Sequence, residues 1–73
     1  MGRIDLTLVT KKRVYVFEFK FNSTGEEAIQ QIQDQRYFEK YQLNKKPITL
    51  AGVSFNYDDK KLKLDWVIKE VGN

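Results

Sequence analysis

The chain opens with two segments that alternate like β-strands, so that every second side chain points to the same face. The first segment covers residues 3–10 and places apolar side chains on one face and Asp5 on the other. The second segment covers residues 14–21, and one of its faces holds Tyr15, Phe17, Phe19 and Phe21. The opposite face holds two valines followed by Glu18 and Lys20. Because both faces begin apolar, we predict that the second segment is a central strand of a sheet.

Beyond residue 21 the pattern predicts one main helix and two further strands. Two overlapping Ser/Thr-x-x-Glu sequences, Ser23–Glu26 and Thr24–Glu27, are typical of a helix N-terminus, and the helix is expected from about Gly25 to Tyr41. The remaining segments are a third strand, a turn and a fourth strand, at residues 48–55, 56–61 and 62–68. The order β-β-α-β-β indicates an α/β (α+β) fold with a mixed sheet of about four strands. The length of 73 residues predicts one domain, over residues 1–73.

The turn between the first two strands decides which side chains face each other. A hairpin centred between Lys11 and Lys12 places Asp5 directly opposite Glu18, and their side chains then lie about 4.5–5.5 Å apart on one face. Two carboxylates at that separation repel each other, and a divalent cation would offset the repulsion. Lys20 lies two residues beyond Glu18 on the same face. We interpret the three residues as a site for a divalent metal and a phosphate; the alternative is a solvated salt bridge near a sheet end.

Composition narrows the choice of metal. The chain contains neither Cys nor His, which excludes a thiolate zinc site and a histidine general base. Carboxylate, carbonyl and water oxygens suit Mg²⁺, and also Mn²⁺. No segment has the length of a transmembrane helix and no signal peptide opens the chain, so we expect a cytoplasmic protein with no membrane partner. The net charge of +3 suits an anionic partner without requiring one.

Basic residues cluster in the predicted turns, at Lys11-Lys12-Arg13, Lys45-Lys46 and Lys60-Lys61. If the helix makes a right-handed crossover, the third strand runs parallel to the second. Lys45 and Lys46 then lie at the end of the sheet away from Glu18, whereas Lys60, Lys61 and Arg3 lie nearer to it. We interpret the clusters as solvated turns rather than as a track for DNA.

Several stretches of the chain together resemble a known family. They are Gly2-Arg3-Ile4-Asp5-Leu6, Val14 to Lys20 with its Phe-Glu-Phe-Lys, the Gln-Ile helix from Glu26 to Ile32, and Gly52-Val53-Ser54-Phe55. The chain resembles the PD-(D/E)XK nuclease superfamily over nearly its whole length. It is most similar to the nuclease-like domain at the C-terminus of bacterial predicted AAA-ATPase-like proteins.

The resemblance implies a restriction-endonuclease-like fold and a metal-dependent nuclease that acts on nucleic acid, with DNA as the expected substrate. It implies that Asp5 and Glu18 hold Mg²⁺, that Lys20 is catalytic, and that an ATPase-like domain accompanies this one in a longer protein. Gln31 falls where relatives carry a glutamine that helps to orient the site, and a solvated helix face is the alternative. Gln30 and Gln35 are rival candidates for that role.

The chain begins just before the strand of Asp5, whereas the family core has a helix and a strand before it. We therefore expect a fragment with an uncovered sheet edge and face, which favours a homo-oligomer. Two further functions stay open beside the nuclease: an inactive nuclease fold that binds nucleic acid or a partner protein, and a structural module that self-associates.

Overall fold

A computed structural model describes residues 4–35, 39 and 45–71. Within these residues it contains four strands and one helix, namely β1 (Ile4–Val9), β2 (Val14–Phe21), α1 (Gly25–Gln35), β3 (Ile48–Asp58) and β4 (Lys61–Val71). The predicted order β-β-α-β-β and the α+β class are confirmed. The predicted continuation of the helix to Tyr41 lies outside the described residues, apart from Glu39.

The strands form one mixed sheet in the order β1-β2-β3-β4. β1 and β2 are antiparallel, β2 and β3 are parallel, and β3 and β4 are antiparallel. The prediction that β2 is a central strand is confirmed. The crossover through α1 explains the parallel pair, since two parallel strands need a connection long enough to return the chain to the same end of the sheet.

The helix covers one face of the sheet, which we call the helix face. Six aliphatic residues from α1, β2 and β3 form the core beneath it: Val14, Val16, Ile29, Ile32, Ile48 and Leu50. Two glycines allow the close approach of helix and sheet. A Cβ atom at Gly52 would lie 2.4 Å from the carbonyl oxygen of Gly25, and one at Gly25 would lie 2.7 Å from the backbone nitrogen of Val67. Any side chain at either position would push α1 away from the sheet.

The helix begins as one of the two capping sequences predicts. The backbone N–H of Glu27 donates a hydrogen bond of 3.0 Å to the hydroxyl oxygen of Thr24, which is therefore the N-cap. The backbone N–H of Ser23 points elsewhere and donates to Ser54 Oγ and to Asn56 Oδ1, at 2.8 and 3.1 Å. The Thr24–Glu27 sequence caps the helix, and Ser23 joins the turn before it to β3.

The third and fourth strands are longer than predicted. The predicted turn over residues 56–61 is wrong, because residues 56–58 continue β3 and pair with residues 61–63 of β4. Only Asp59 and Lys60 form the loop, and both have positive φ, 48° and 63°. Positive φ at both central residues is the geometry of a type I′ turn, whose twist matches that of an antiparallel pair. The polar composition of this segment therefore marks an exposed hairpin and not an extended loop.

The opposite side of the sheet, which we call the open face, has no helix against it within the described residues. Five of its aromatic rings form a continuous row with centroids 5.8–6.4 Å apart: Tyr15, Phe17, Phe19, Phe55 and Phe21. Eight large hydrophobic side chains on this face are 42–66% exposed: Leu6, Leu8, Phe21, Tyr57, Leu62, Leu64, Trp66 and Ile68. An uncovered apolar face was expected from the sequence, and the described residues show one.

Candidate functional site

Asp5 and Glu18 face each other across the β1–β2 hairpin. The strand register pairs Asp5 with Glu18 and Val9 with Val14, which confirms the predicted centre of the turn. The turn is closed by Thr10, whose backbone N–H and hydroxyl both donate to the carbonyl oxygen of Arg13, at 2.9 and 2.8 Å. This local closure sets the register and so brings two carboxylates to one point of the helix face.

The two carboxylates have different environments. Glu18 is fully buried, at 0% exposure, whereas Asp5 is exposed on the outer strand. Glu18 also pairs in register with Gly52 of β3, the residue on which α1 rests. Burial lowers the local dielectric around Glu18, so a cation that reaches it interacts more strongly than it would in bulk water. The Glu18 carboxylate of the pair is therefore shielded from solvent, whereas the Asp5 carboxylate is accessible to it.

Lys20 and Gln31 lie together beside this pair. The Lys20 ammonium donates to the side-chain oxygen of Gln31 at 3.5 Å, at the outer limit of a hydrogen bond. Lys20 is two residues beyond Glu18 on β2, about 7 Å along the strand. Gln30, one of the rival candidates, instead donates to Asp34 at 2.8 Å on the exposed side of α1. Gln35 is partly buried near the end of the described helix, a turn beyond Gln31.

A polar network next to Lys20 holds the start of α1, and sequence reasoning did not identify it. Ser54 pairs in register with Lys20, is fully buried, and donates from its hydroxyl to Asn56 Oδ1 at 2.7 Å. Asn56 in turn donates to the carbonyl oxygen of Ser23 at 3.1 Å. The Asp65 carboxylate accepts from the backbone N–H of Gly25 at 3.1 Å, a favourable contact at a helix N-terminus. The alternation of β3 places Ser54 and Asn56 on one face, but nothing local shows that they meet the β2–α1 turn.

The carboxylate pair fits a magnesium-type site in its donor chemistry. Within the described residues there is no group of three or more Asp, Glu, His or Cys that would enclose a metal ion. Mg²⁺ is usually held by one or two carboxylates, with water and substrate phosphate as its other ligands. Asp5 and Glu18 supply two oxygen ligands and leave such positions open. The donor set is therefore compatible with Mg²⁺, and also with Mn²⁺.

The basic clusters lie at opposite ends of the sheet, as the crossover predicted, but the prediction that Lys60 and Lys61 lie nearer to Glu18 is wrong. Gly52 is the partner of Glu18, and both Lys46 and Asp58, the partner of Lys61, are six residues from it, because the β3–β4 hairpin is longer than predicted. β3 starts beside Val14, so Lys45 and Lys46 lie at the end of the sheet far from Glu18. Lys60 and Lys61 lie beyond the opposite end, where the β3–β4 hairpin extends past Lys20. Arg3, which was also expected nearer the site, lies outside the described residues. Among the described residues, no helix is long and apolar enough to cross a membrane.

Comparisons with known proteins give a consistent result. A family model of the PD-(D/E)XK nuclease superfamily matches residues 1–66. A curated relative, described as an uncharacterized protein in the vnfD 5′ region of Azotobacter chroococcum mcd 1, is 37% identical over 73 residues and covers 97% of this chain. The chain spans 14% of that relative's length. No solved structure matches.

The family match and the geometry concern the same residues. The matched range contains both strands of the hairpin, the helix and β3, and so includes Asp5, Glu18, Lys20 and Gln31. It covers well over half of the chain. On these grounds the chain belongs to the PD-(D/E)XK nuclease superfamily and forms a nuclease-type domain.

Proposed function

We propose that this domain is a Mg²⁺-dependent nuclease that cleaves phosphodiester bonds in DNA and also accepts Mn²⁺. The observation that supports it best is the pairing of Asp5 with Glu18 on the helix face, with Lys20 next on the same strand. We propose further that it works in the bacterial cytoplasm and is joined to an ATPase-like domain in a longer protein. A longer parent agrees with the small fraction of the Azotobacter relative that the chain spans.

Each residue has a distinct role in this proposal. Asp5 and Glu18 hold the metal from adjacent strands, with Glu18 as the rigid, buried ligand. When bound, the divalent cation supplies Lewis-acid chemistry, polarising the phosphoryl oxygen and lowering the pKa of water. The Lys20 ammonium stabilises the negative charge that develops on the phosphate. Gln31 acts through Lys20, because its side-chain oxygen accepts a hydrogen bond from the ammonium group and limits where the lysine can point.

Cleavage of plasmid DNA by the purified chain and by its longer parent tests this function. Glu18→Gln and Asp5→Asn keep the shape of each side chain and remove its charge, and we expect a loss of Mg²⁺-dependent cleavage of about 100-fold or more. Asp34→Asn is the matched control, since it removes a carboxylate from the exposed side of α1. Unchanged cleavage in the Glu18 variant would refute the assignment. Binding of DNA in EDTA without cleavage in Mg²⁺ or Mn²⁺ would instead indicate a binding module.

The open face supports a second role, in which this chain pairs with another copy of itself. At roughly 200 Å² for a large side chain, its eight exposed hydrophobic residues present roughly 900 Å², and a stable interface needs about 800 Å² per partner. The molecule exposes 5230 Å², more than the roughly 4700 Å² expected for a monomer of its mass. Glu70 is the one charged strand residue on this face among those described, and it is bound to Arg13.

Sedimentation equilibrium distinguishes the outcomes for the open face. We expect a dimer at micromolar concentration that dissociates when Leu64 and Trp66 are both replaced by lysine. β4 already contains Lys61 and Lys63 on its opposite face, so two more lysines in this strand should not prevent the variant from folding. A wild-type chain that stays monomeric at every concentration would exclude the dimer. Dimers that persist in the double variant would place the interface elsewhere.

A further inference from the structure

Two basic clusters that are far apart in sequence meet at one end of the sheet. The Lys46 ammonium donates to the backbone carbonyl oxygen of Thr10 at 2.9 Å, across a separation of 36 residues. The backbone N–H of Val14 donates to the carbonyl oxygen of Pro47 at 3.0 Å, which joins the same two loops. We call this region the basic end and define it by its five cationic residues: Lys11, Lys12, Arg13, Lys45 and Lys46.

The basic end concentrates the positive charge of the described residues. The acidic residue bound there is Glu70, which accepts from the Arg13 guanidinium at 2.6 Å and from the Thr49 hydroxyl at 3.0 Å. Five cations and Glu70 give a formal charge of +4. The other described residues include five lysines and nine carboxylates, a formal charge of −4. The described part of the molecule is thus strongly polarised, and an anion is drawn to one end of it.

The surface at the basic end is shallow and open to solvent. An open cleft of about 670 Å³ is lined by Thr10, Lys11, Lys12, Arg13, Tyr15 and Pro47. Of these residues, Lys11 and Lys12 are exposed, and Tyr15 is partly exposed at the end of the aromatic row. Flexible ammonium groups contact phosphates without selecting a sequence. These are features of a nucleic-acid backbone site.

The contact between Lys46 and Thr10 changes the interpretation of these two clusters as separate solvated turns. We propose that the basic end binds the phosphate backbone of the nucleic acid that the domain cleaves, so the inference rests on the proposed function. Lys11 lies six residues from Asp5, about 20 Å along the hairpin, or roughly six base-pair steps of a duplex. The basic end thus holds the substrate at a distance from the reacting phosphate. It supplies affinity, whereas the carboxylate pair and Lys20 supply the chemistry.

Fluorescence anisotropy of the full chain with a short labelled DNA duplex in EDTA tests this inference without requiring cleavage. We expect Lys11→Gln/Lys12→Gln to weaken binding about tenfold and to reduce the slope of log affinity against log salt by about two. The matched control is Lys60→Gln/Lys61→Gln, which removes the same charge from the other hairpin. Circular dichroism verifies that both variants fold.

The outcomes separate this inference from the nuclease assignment. Weakened binding in the Lys11/Lys12 variant alone supports the basic end, whether or not Asp5→Asn abolishes cleavage. Equal weakening in both lysine variants would show attraction by net charge only and would overturn the inference. Full binding in the Lys11/Lys12 variant would overturn it directly, even if cleavage still depends on Glu18.

Discussion

The two faces of the sheet are built from the same four strands and differ in what covers them. On the helix face, α1 buries the aliphatic core and the Glu18 side chain, and Gly52 lets the helix backbone contact the sheet directly. On the open face, a row of aromatic rings and the surrounding leucines meet no helix within the described residues. The helix face therefore contains a rigid polar site, whereas the open face contains apolar surface suited to association.

The difference shows how strand alternation separates two tasks in a small domain. Each strand sends successive side chains to opposite faces, so Glu18 and Phe19 are neighbours in sequence and belong to different environments. Carboxylates need a fixed frame if they are to hold a metal, and α1 provides that frame on one side only. We therefore expect substitutions on the helix face to change both stability and function, and substitutions on the open face to change mainly association.

The largest expected effect on stability comes from enlarging Gly52 of β3, which lies on the helix face. Gly52→Ala places a methyl group 2.4 Å from the Gly25 carbonyl oxygen and 2.8 Å from the Ile29 backbone nitrogen, so the helix must move. We expect a loss of about 3 kcal/mol or more in the free energy of unfolding, from a total of about 4–11 kcal/mol for a chain of this length.

Urea unfolding measures this loss. Ala51→Val is the matched control, because it enlarges the adjacent residue on the open face. Ala51 is only 9% exposed, but no described helix lies against it, so we expect a smaller change, of about 1 kcal/mol or less. Similar losses in the two variants would mean that the faces do not differ in packing at this point.

The next largest difference in unfolding free energy is expected when one leucine on each face is replaced by alanine. Leu50 is fully buried beneath α1, and Leu50→Ala should cost about 3 kcal/mol because it leaves a cavity in the core. Leu64 is 56% exposed, and Leu64→Ala should cost the monomer less than about 1 kcal/mol. Thermal unfolding at low protein concentration compares the two. A large concentration-dependent loss in the Leu64 variant would reveal that the open face is covered by another copy.

A smaller effect is expected from the polar network that holds the start of the helix. Asn56→Ala removes the acceptor for the Ser54 hydroxyl and the donor to the Ser23 carbonyl group, both in a part-buried region. We expect a loss of about 2 kcal/mol in unfolding free energy. If the helix start also positions Gln31, cleavage should fall further than the folded fraction does. Asn56→Asp separates the two hydrogen bonds, since it keeps the acceptor for the Ser54 hydroxyl and removes the donor to the Ser23 carbonyl oxygen.

The smallest effect is expected from the ion pair at the edge of the open face. Arg13 and Glu70 contact each other at 2.6 Å, but their side chains are 35% and 62% exposed. Arg13→Gln should therefore change the unfolding free energy by less than about 1 kcal/mol, and the change should shrink further at high salt. Chemical unfolding at two salt concentrations measures this. The Arg13 guanidinium also donates to the Thr49 hydroxyl oxygen at 2.9 Å, and a salt-independent loss above that value would show that this hydrogen bond matters more than the charge.

Much of the local structure could be predicted from the sequence. The alternation in β1 and β2 and the polar run between them determine a hairpin register, and that register alone brings Asp5 opposite Glu18. The Thr24-x-x-Glu27 spacing likewise marks the first turn of α1. These features depend on residues within about ten positions of one another, where strand period, turn length and capping leave few alternatives. The full extent of the β3–β4 hairpin was missed because Asn56, Asp58 and Asp59 are residues that favour turns.

The sequence by itself thus determined the order of the elements along the chain, the opposed carboxylates and the start of the helix. Only the tertiary structure decided that Lys20 meets Gln31, that Ser54 and Asn56 hold the β2–α1 turn, and that Lys46 joins the first basic turn. It also decided which face of the sheet α1 covers. These contacts join residues 11–36 positions apart, and they depend on how the crossover packs α1 on the sheet, which no local pattern specifies.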